Sequence, residues 1–104
     1  MDEQTRENVA SSLDNLASQD SWNISVWQRC YDLIAANMAG EDLLGYVHDD
    51  VIHYNGVYHS RNIFGFRVEP DRSQLEEYRR EFRDVATSIR LRLSLTDARK
   101  KFGF

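Results

Sequence analysis

The stretch from His48 to Arg61, reading HDDVIHYNGVYHSR, holds all three histidines of the chain, the Asp49-Asp50 pair and two of its five tyrosines. Any acid–base or metal chemistry would have to be drawn from here. His53 with Asp50 makes a sensible acid–base pair, because an imidazole titrates near neutrality and a carboxylate can orient the ring. The plainer alternative is that Asp49 and Asp50 end a preceding helix. His48, His53 and His59 with the two aspartates are also suitable ligand types for zinc or another transition metal. Their spacing matches no metal signature, so neither a metal nor a cofactor is expected. Trp22, Trp27, Tyr31 and Tyr78 could line a ligand cavity, although aromatic residues at helical spacing are more often core. Cys30 lies beside an apolar helical stripe and is expected to be a buried, inert thiol.

The elements that must position these groups follow from patterning. Asn55-Gly56, set between Val51-Ile52-His53-Tyr54 and Val57-Tyr58-His59, is a strong signal for a two-residue type I′ hairpin turn. Alternation would then put Ile52 and Tyr54 on one face and Val51 and His53 on the other. A competing reading runs one helix from Leu44 through Val47, Val51 and Ile52 to Asn55, with Gly56 as its cap. The hairpin is preferred, because paired aspartates are poor helix interior and the flanks are rich in Val, Ile and Tyr.

Upstream, Val9, Leu13, Leu16 and Ala17 give residues 2–18 an amphipathic helical pattern. Asn23 is a plausible N-cap for a second helix, with Trp22 and Trp27 placed as a hydrophobic staple and Gly40 at the far end. Downstream of Pro70, Ser73 and Glu76 form a capping box. Leu75, Tyr78, Phe82 and Val85 then supply a buried stripe, and Ile89, Leu91, Leu93 and Leu95 alternate with polar residues as a half-buried strand would. Trp27, Tyr31, Ile34, Tyr78, Phe82 and Val85 are the predicted core.

With 104 residues, a net charge of −4, 41% hydrophobic and 29% charged residues, the chain reads as one soluble domain, residues 1–104. The acidic balance has the wrong sign for a nucleic-acid binder. Arg79, Arg80, Arg83 and Arg90 are interleaved with acids, as on a solvated helix face. No apolar run approaches the length of a membrane span. The polar, acidic start of the sequence is unlike a secretory signal, and the lone cysteine fits a reducing compartment, so a cytoplasmic location is expected.

This order of elements resembles the first half of the nuclear-transport-factor-two-like superfamily, in particular its SnoaL-like polyketide cyclase branch. The residues that carry the resemblance are Arg29-Cys30-Tyr31, Leu43-Leu44, Asp49-Asp50-Val51-Ile52-His53 and Gly56-Val57-Tyr58-His59-Ser60-Arg61-Asn62-Ile63. It implies an α+β fold in which amphipathic helices pack on a small curved antiparallel sheet, forming a cone that here lacks the distal strands. It also implies a pocket for a small apolar or aromatic molecule, with His53 facing the cavity and Tyr31, Tyr54 and Tyr58 on its wall or rim, beside Trp27. Isomerase, cyclase or hydratase-type chemistry using His53 is the function so implied. The alternative is a non-catalytic protein-interaction module, such as an immunity protein. A truncated sheet would leave strand 89–95 with an unpaired edge, which predicts a homodimer joined there or at the tail.

Overall fold

The computed structural model describes residues 1–104 and contains five helices and no sheet. In chain order they are α1 (Glu3–Ala17), α2 (Ile24–Asn37), α3 (Asp42–Tyr58), α4 (Arg72–Arg90) and α5 (Leu95–Phe102). The only β-type pairing is an isolated antiparallel bridge between Arg61 and Arg67. The expected α+β class, and with it the sheet-built cone of the nuclear-transport-factor-two-like fold, is therefore corrected to an all-helical bundle.

Two local decisions account for the difference. In α3, Leu44, Val47, Val51, Tyr54 and Tyr58 recur at alternating steps of three and four, and all five are buried. Helical spacing gathers them on one face, whereas the hairpin alternation would have set Val51 against Tyr54. Ile52, which the hairpin paired with Tyr54, lies on the outer side of the helix. The helix thus passes through Asn55 and Gly56 and stops at His59, whose N–H donates to the Gly56 carbonyl at 3.2 Å.

The second decision concerns Ile89 to Leu95. Ile89 and Arg90 complete α4; then Arg92 takes a left-handed conformation with φ +58°, the one such residue that is not glycine. Its N–H donates to the Ile89 carbonyl at 3.1 Å and that of Leu93 to the Ser88 carbonyl at 3.0 Å. These two bonds make a Schellman cap, and Leu93 folds back against the core as such caps prefer. Ser94 then caps α5, its Oγ accepting from the Asp97 N–H at 3.1 Å. With no strand 89–95 there is no unpaired sheet edge, and that reason for a homodimer falls.

The expected cap of α4 also shifts. Asp71 is the N-cap, accepting from the N–H groups of Ser73 at 2.9 Å and Gln74 at 3.3 Å. Glu76 turns away from Ser73 to pair with Arg79. Asn23 caps α2 as read from the sequence, accepting from Ser25 and Val26.

α4 lies along α1, with Phe82, Val85, Ala86 and Ile89 closing on Val9, Ala10, Leu13 and Leu16. The polar margins of this pair are closed by arginines. Arg90 grips the Glu7 carboxylate through Nε and Nη2, both at 3.1 Å, and reaches Asp14 at 2.6 Å. Arg83 donates to the Ala17 carbonyl at the end of α1, and Arg6 to the Ile89 carbonyl at the end of α4. Cations at helix C-termini satisfy orphan carbonyls and oppose the helix dipole. α2 and α3 complete the bundle, and α5 packs across α3 and α4. No helix is long and apolar enough to cross a membrane.

Of the predicted core, Ile34, Phe82 and Val85 are buried, while Trp27, Tyr31 and Tyr78 are only partly so, at the bundle's edges. Phe82 has no exposed surface and touches the rings of Tyr54 and Tyr78. Phe82→Ala is expected to cost about 3–5 kcal/mol in urea unfolding, as large core truncations do. A loss below about 1 kcal/mol would mean that α4 does not close the core in this register.

Candidate functional site

The residues singled out from the sequence do not converge. His53 and Asp50 sit one helical turn apart on α3, with Nδ1 and Oδ1 3.9 Å apart, but the His53 side chain is 66% exposed. It borders none of the main surface clefts. His48 lies 3.6 Å from Asp49 and packs its ring on Tyr31. His59 Nδ1 is 2.8 Å from the Asn55 carbonyl, and its ring stands edge-on to Trp22. No three His, Cys, Asp or Glu side chains come together in a way that could hold a metal ion.

The expected pocket aromatics are structural fasteners. Trp27 donates from Nε1 to the Val51 carbonyl at 2.9 Å, tying α2 to α3, and stacks on Tyr31 with centroids 5.2 Å apart. Tyr54 is buried, with its ring edge-on to Tyr58 and Phe82. Arg79 reaches from α4 to donate to the hydroxyls of Tyr54 at 3.3 Å and Tyr58 at 2.8 Å, while Glu76 accepts from its far side at 2.7 Å. Burial by itself would lower the Arg79 pKa, but the hydrogen bonds to Glu76 and Tyr54 outweigh it and the net shift is upward. Burial likewise pushes Tyr54 up to about 12, so its hydroxyl stays protonated. Tyr58 and Trp22 do border a cleft of about 660 Å³, which opens to solvent between Arg67, Arg72, Arg79 and the acids Asp20, Glu69 and Glu76. Three cations against three anions leave it without a charge preference. Cys30 is buried, and burial raises its thiol to about 12, which makes it inert.

Asp50 has a different partner from the one expected. It faces a cleft of about 270 Å³ between α3 and α4, together with Tyr46, Gln74, Glu77, Tyr78 and Glu81. Tyr46 donates its hydroxyl to Glu81 at 2.5 Å. Partial burial and a hydrogen bond shared with the Asp50 carboxyl hold the Glu81 pKa at about 8, against the opposing pull of Tyr46. A carboxyl that keeps its proton to higher pH at this helix–helix seam makes the packing of α3 on α4 sensitive to pH.

The most exposed apolar group lies in the connection between α3 and α4. Asn62 organises it: its Oδ1 accepts from the N–H groups of Phe64 at 2.9 Å and Phe66 at 3.1 Å, and its own N–H donates to the Phe66 carbonyl. Its carbonyl accepts from Gly65, which turns the chain at φ +81°. Arg61 donates to the Gly65 carbonyl at 2.9 Å, and Val68 N–H closes the base on Ser60. Five backbone N–H groups, those of Asn62, Phe64, Gly65, Phe66 and Val68, are thereby bonded inside the loop, while three of its apolar side chains face outward. Ile63, Phe64 and Phe66 are 93%, 76% and 69% exposed. The sequence did carry a signal for this loop: Asn62 and Gly65 are turn residues three apart, each of a type that turns need. The family resemblance, which took in Gly56 to Ile63, hid it.

The raised Glu81 pKa makes stability depend on pH. Glu81 binds its proton more tightly in the folded chain than in the unfolded one, where its ordinary value is 4.5, so stability should fall as pH rises from about 4.5 towards about 8. Glu81→Gln keeps an acceptor for Tyr46 and removes the titration. Its urea midpoint should therefore change less between about pH 5 and about pH 8 than that of the parent. Equal changes would show that the Glu81 carboxyl is not held above its ordinary value. Comparison with protein-family models, with curated proteins and with solved structures finds no match.

Proposed function

We propose that this chain is a non-catalytic protein-interaction module whose contact element is the loop between α3 and α4. The observation that carries this reading is the exposure of Ile63, Phe64 and Phe66 on a loop whose backbone is closed by its own hydrogen bonds. Apolar side chains of this size each favour burial by roughly 1.5–3 kcal/mol, and a monomer gains nothing by holding three of them in water. A loop already fixed in shape loses little entropy on docking, so most of that burial is available for affinity. Aromatic anchors at the centre of a contact with arginine beside them are the composition of interface hot spots, and Arg61 and Arg67 flank this tip. The acid–base reading has no comparable support, because His53 stands exposed on an outer helical face away from the main clefts.

A photo-reactive phenylalanine analogue at position 64 tests the proposal in cells that produce the protein. Adducts should form there well above those from the same analogue at exposed Gln4, and should vanish when Ile63 and Phe66 are changed to serine. Because these side chains touch little of the bundle, the serine variant should keep its melting temperature within about 2 °C. Equal labelling at positions 64 and 4 would overturn the reading.

A further inference from the structure

Asn55-Gly56 is the one step of the chain in which glycine follows asparagine; every other asparagine precedes a valine, leucine, isoleucine or methionine. The Gly56 amide nitrogen therefore has no neighbouring side chain to hinder its approach to the side-chain carbonyl carbon of Asn55. Inside α3 that approach is blocked. Helical dihedrals point the Gly56 N–H along the helix axis into the hydrogen-bond ladder and hold the nitrogen away from the asparagine side chain. The block is only as firm as the last turn, and that turn is lightly closed. Gly56 is exposed, its carbonyl accepts from the His59 N–H at 3.2 Å and the Ser60 hydroxyl at 3.1 Å, and the exposed His59 ring sits 2.8 Å from the Asn55 carbonyl. What ties the turn to α4 is Tyr58, buried and bonded through its hydroxyl to Arg79 at 2.8 Å.

We infer that Asn55-Gly56 is a site of spontaneous deamidation gated by the last turn of α3, and that the reaction there frees Tyr58 from Arg79. When the turn opens, the Gly56 nitrogen loses its proton and bonds to Cγ of Asn55; the bond from Cγ to the side-chain nitrogen breaks, and ammonia leaves with that proton. Water, the only co-reactant, then adds to either carbonyl of the cyclic imide and reopens it to aspartate or isoaspartate. Both products work against the helix. Each places a new negative charge near the C-terminal end of α3, where the helix dipole opposes it. Isoaspartate also routes the chain through Cγ and adds a methylene to the backbone, so the helical spacing that sets Tyr54 and Tyr58 on one buried face is broken between them. The inference does not depend on what the loop after α3 contacts.

Peptide mapping by mass spectrometry tests this on the full chain, aged in mildly alkaline buffer either folded or unfolded in guanidinium chloride. In the unfolded chain Asn55 should convert well ahead of Asn62 and every other asparagine, giving two products at that position. In the folded chain it should convert at least about tenfold more slowly, because only the open fraction of the turn reacts. Gly56→Ala adds a methyl group where nothing lies within 4 Å and strengthens the helix, so it should slow the reaction in both states. Tyr58→Phe drops the bond to Arg79 and leaves the reacting step unaltered, so it should speed the folded reaction alone. Equal folded and unfolded rates at Asn55, or unfolded conversion no faster than at Asn62, would overturn the inference. So would a folded rate that Tyr58→Phe leaves unchanged. The isoaspartyl form, separated by chromatography, should melt at least about 4 °C below the parent. An unchanged melting temperature would mean that Tyr58 is not freed.

Discussion

The bundle depends on α3 staying helical through Asn55 and Gly56, because that is what brings Tyr54 and Tyr58 onto the face that meets α4. Glycine inside a helix costs about 1 kcal/mol relative to alanine, and asparagine costs somewhat less. Against this stands the burial of two tyrosine rings, each worth roughly 1.5–3 kcal/mol, with hydroxyls satisfied by Arg79 rather than stranded. The packing term wins, and it is non-local. Arg79 lies on α4, and the Phe82 ring that meets Tyr54 edge-on lies there too. A turn signal confined to Asn55-Gly56 cannot register either of them.

The same logic separates what was legible in the sequence from what was not. The spans of α1 and α2 and a helix after Pro70 were readable from apolar spacing, and at α2 the cap agrees with it: Asn23 both caps α2 and precedes its stripe. Illegible was every place where two periods fitted the same residues. Leu91, Leu93 and Leu95 satisfy an alternation, but they belong to the cap of α4, the turn after it and the first residue of α5. Glycine would have betrayed that cap; Arg92 occupies the left-handed position instead. The strand expected to aim His53 and Asp50 does not form; the helix sets them one turn apart instead, with Nδ1 and Oδ1 3.9 Å from each other, His53 exposed and Asp50 beside the cleft that Glu81 lines. The family resemblance rested on the same strands and lost its sheet with them.

What the helical solution leaves is a filled interior and an unsatisfied exterior element. The chain uses its arginines and tyrosines to lock helices together, as at Arg79 and Arg90. The loop after α3 is the exception: Asn62 and Gly65 build a shape whose side chains have no partner within the chain. The outward presentation of Phe64 therefore follows directly from α3 being a helix.

That dependence can be measured at single residues by amide hydrogen exchange. With α3 continuous, the amides of Tyr54, Asn55 and Gly56 are hydrogen-bonded in helical sequence and should exchange together, at rates near those of the α4 core around Phe82. Rapid exchange at Asn55 and Gly56 with alternating protection on either side would mean that a hairpin turn forms there. The packing of Tyr54 on α4 would then be wrong, and the outward loop that follows from it would have no basis.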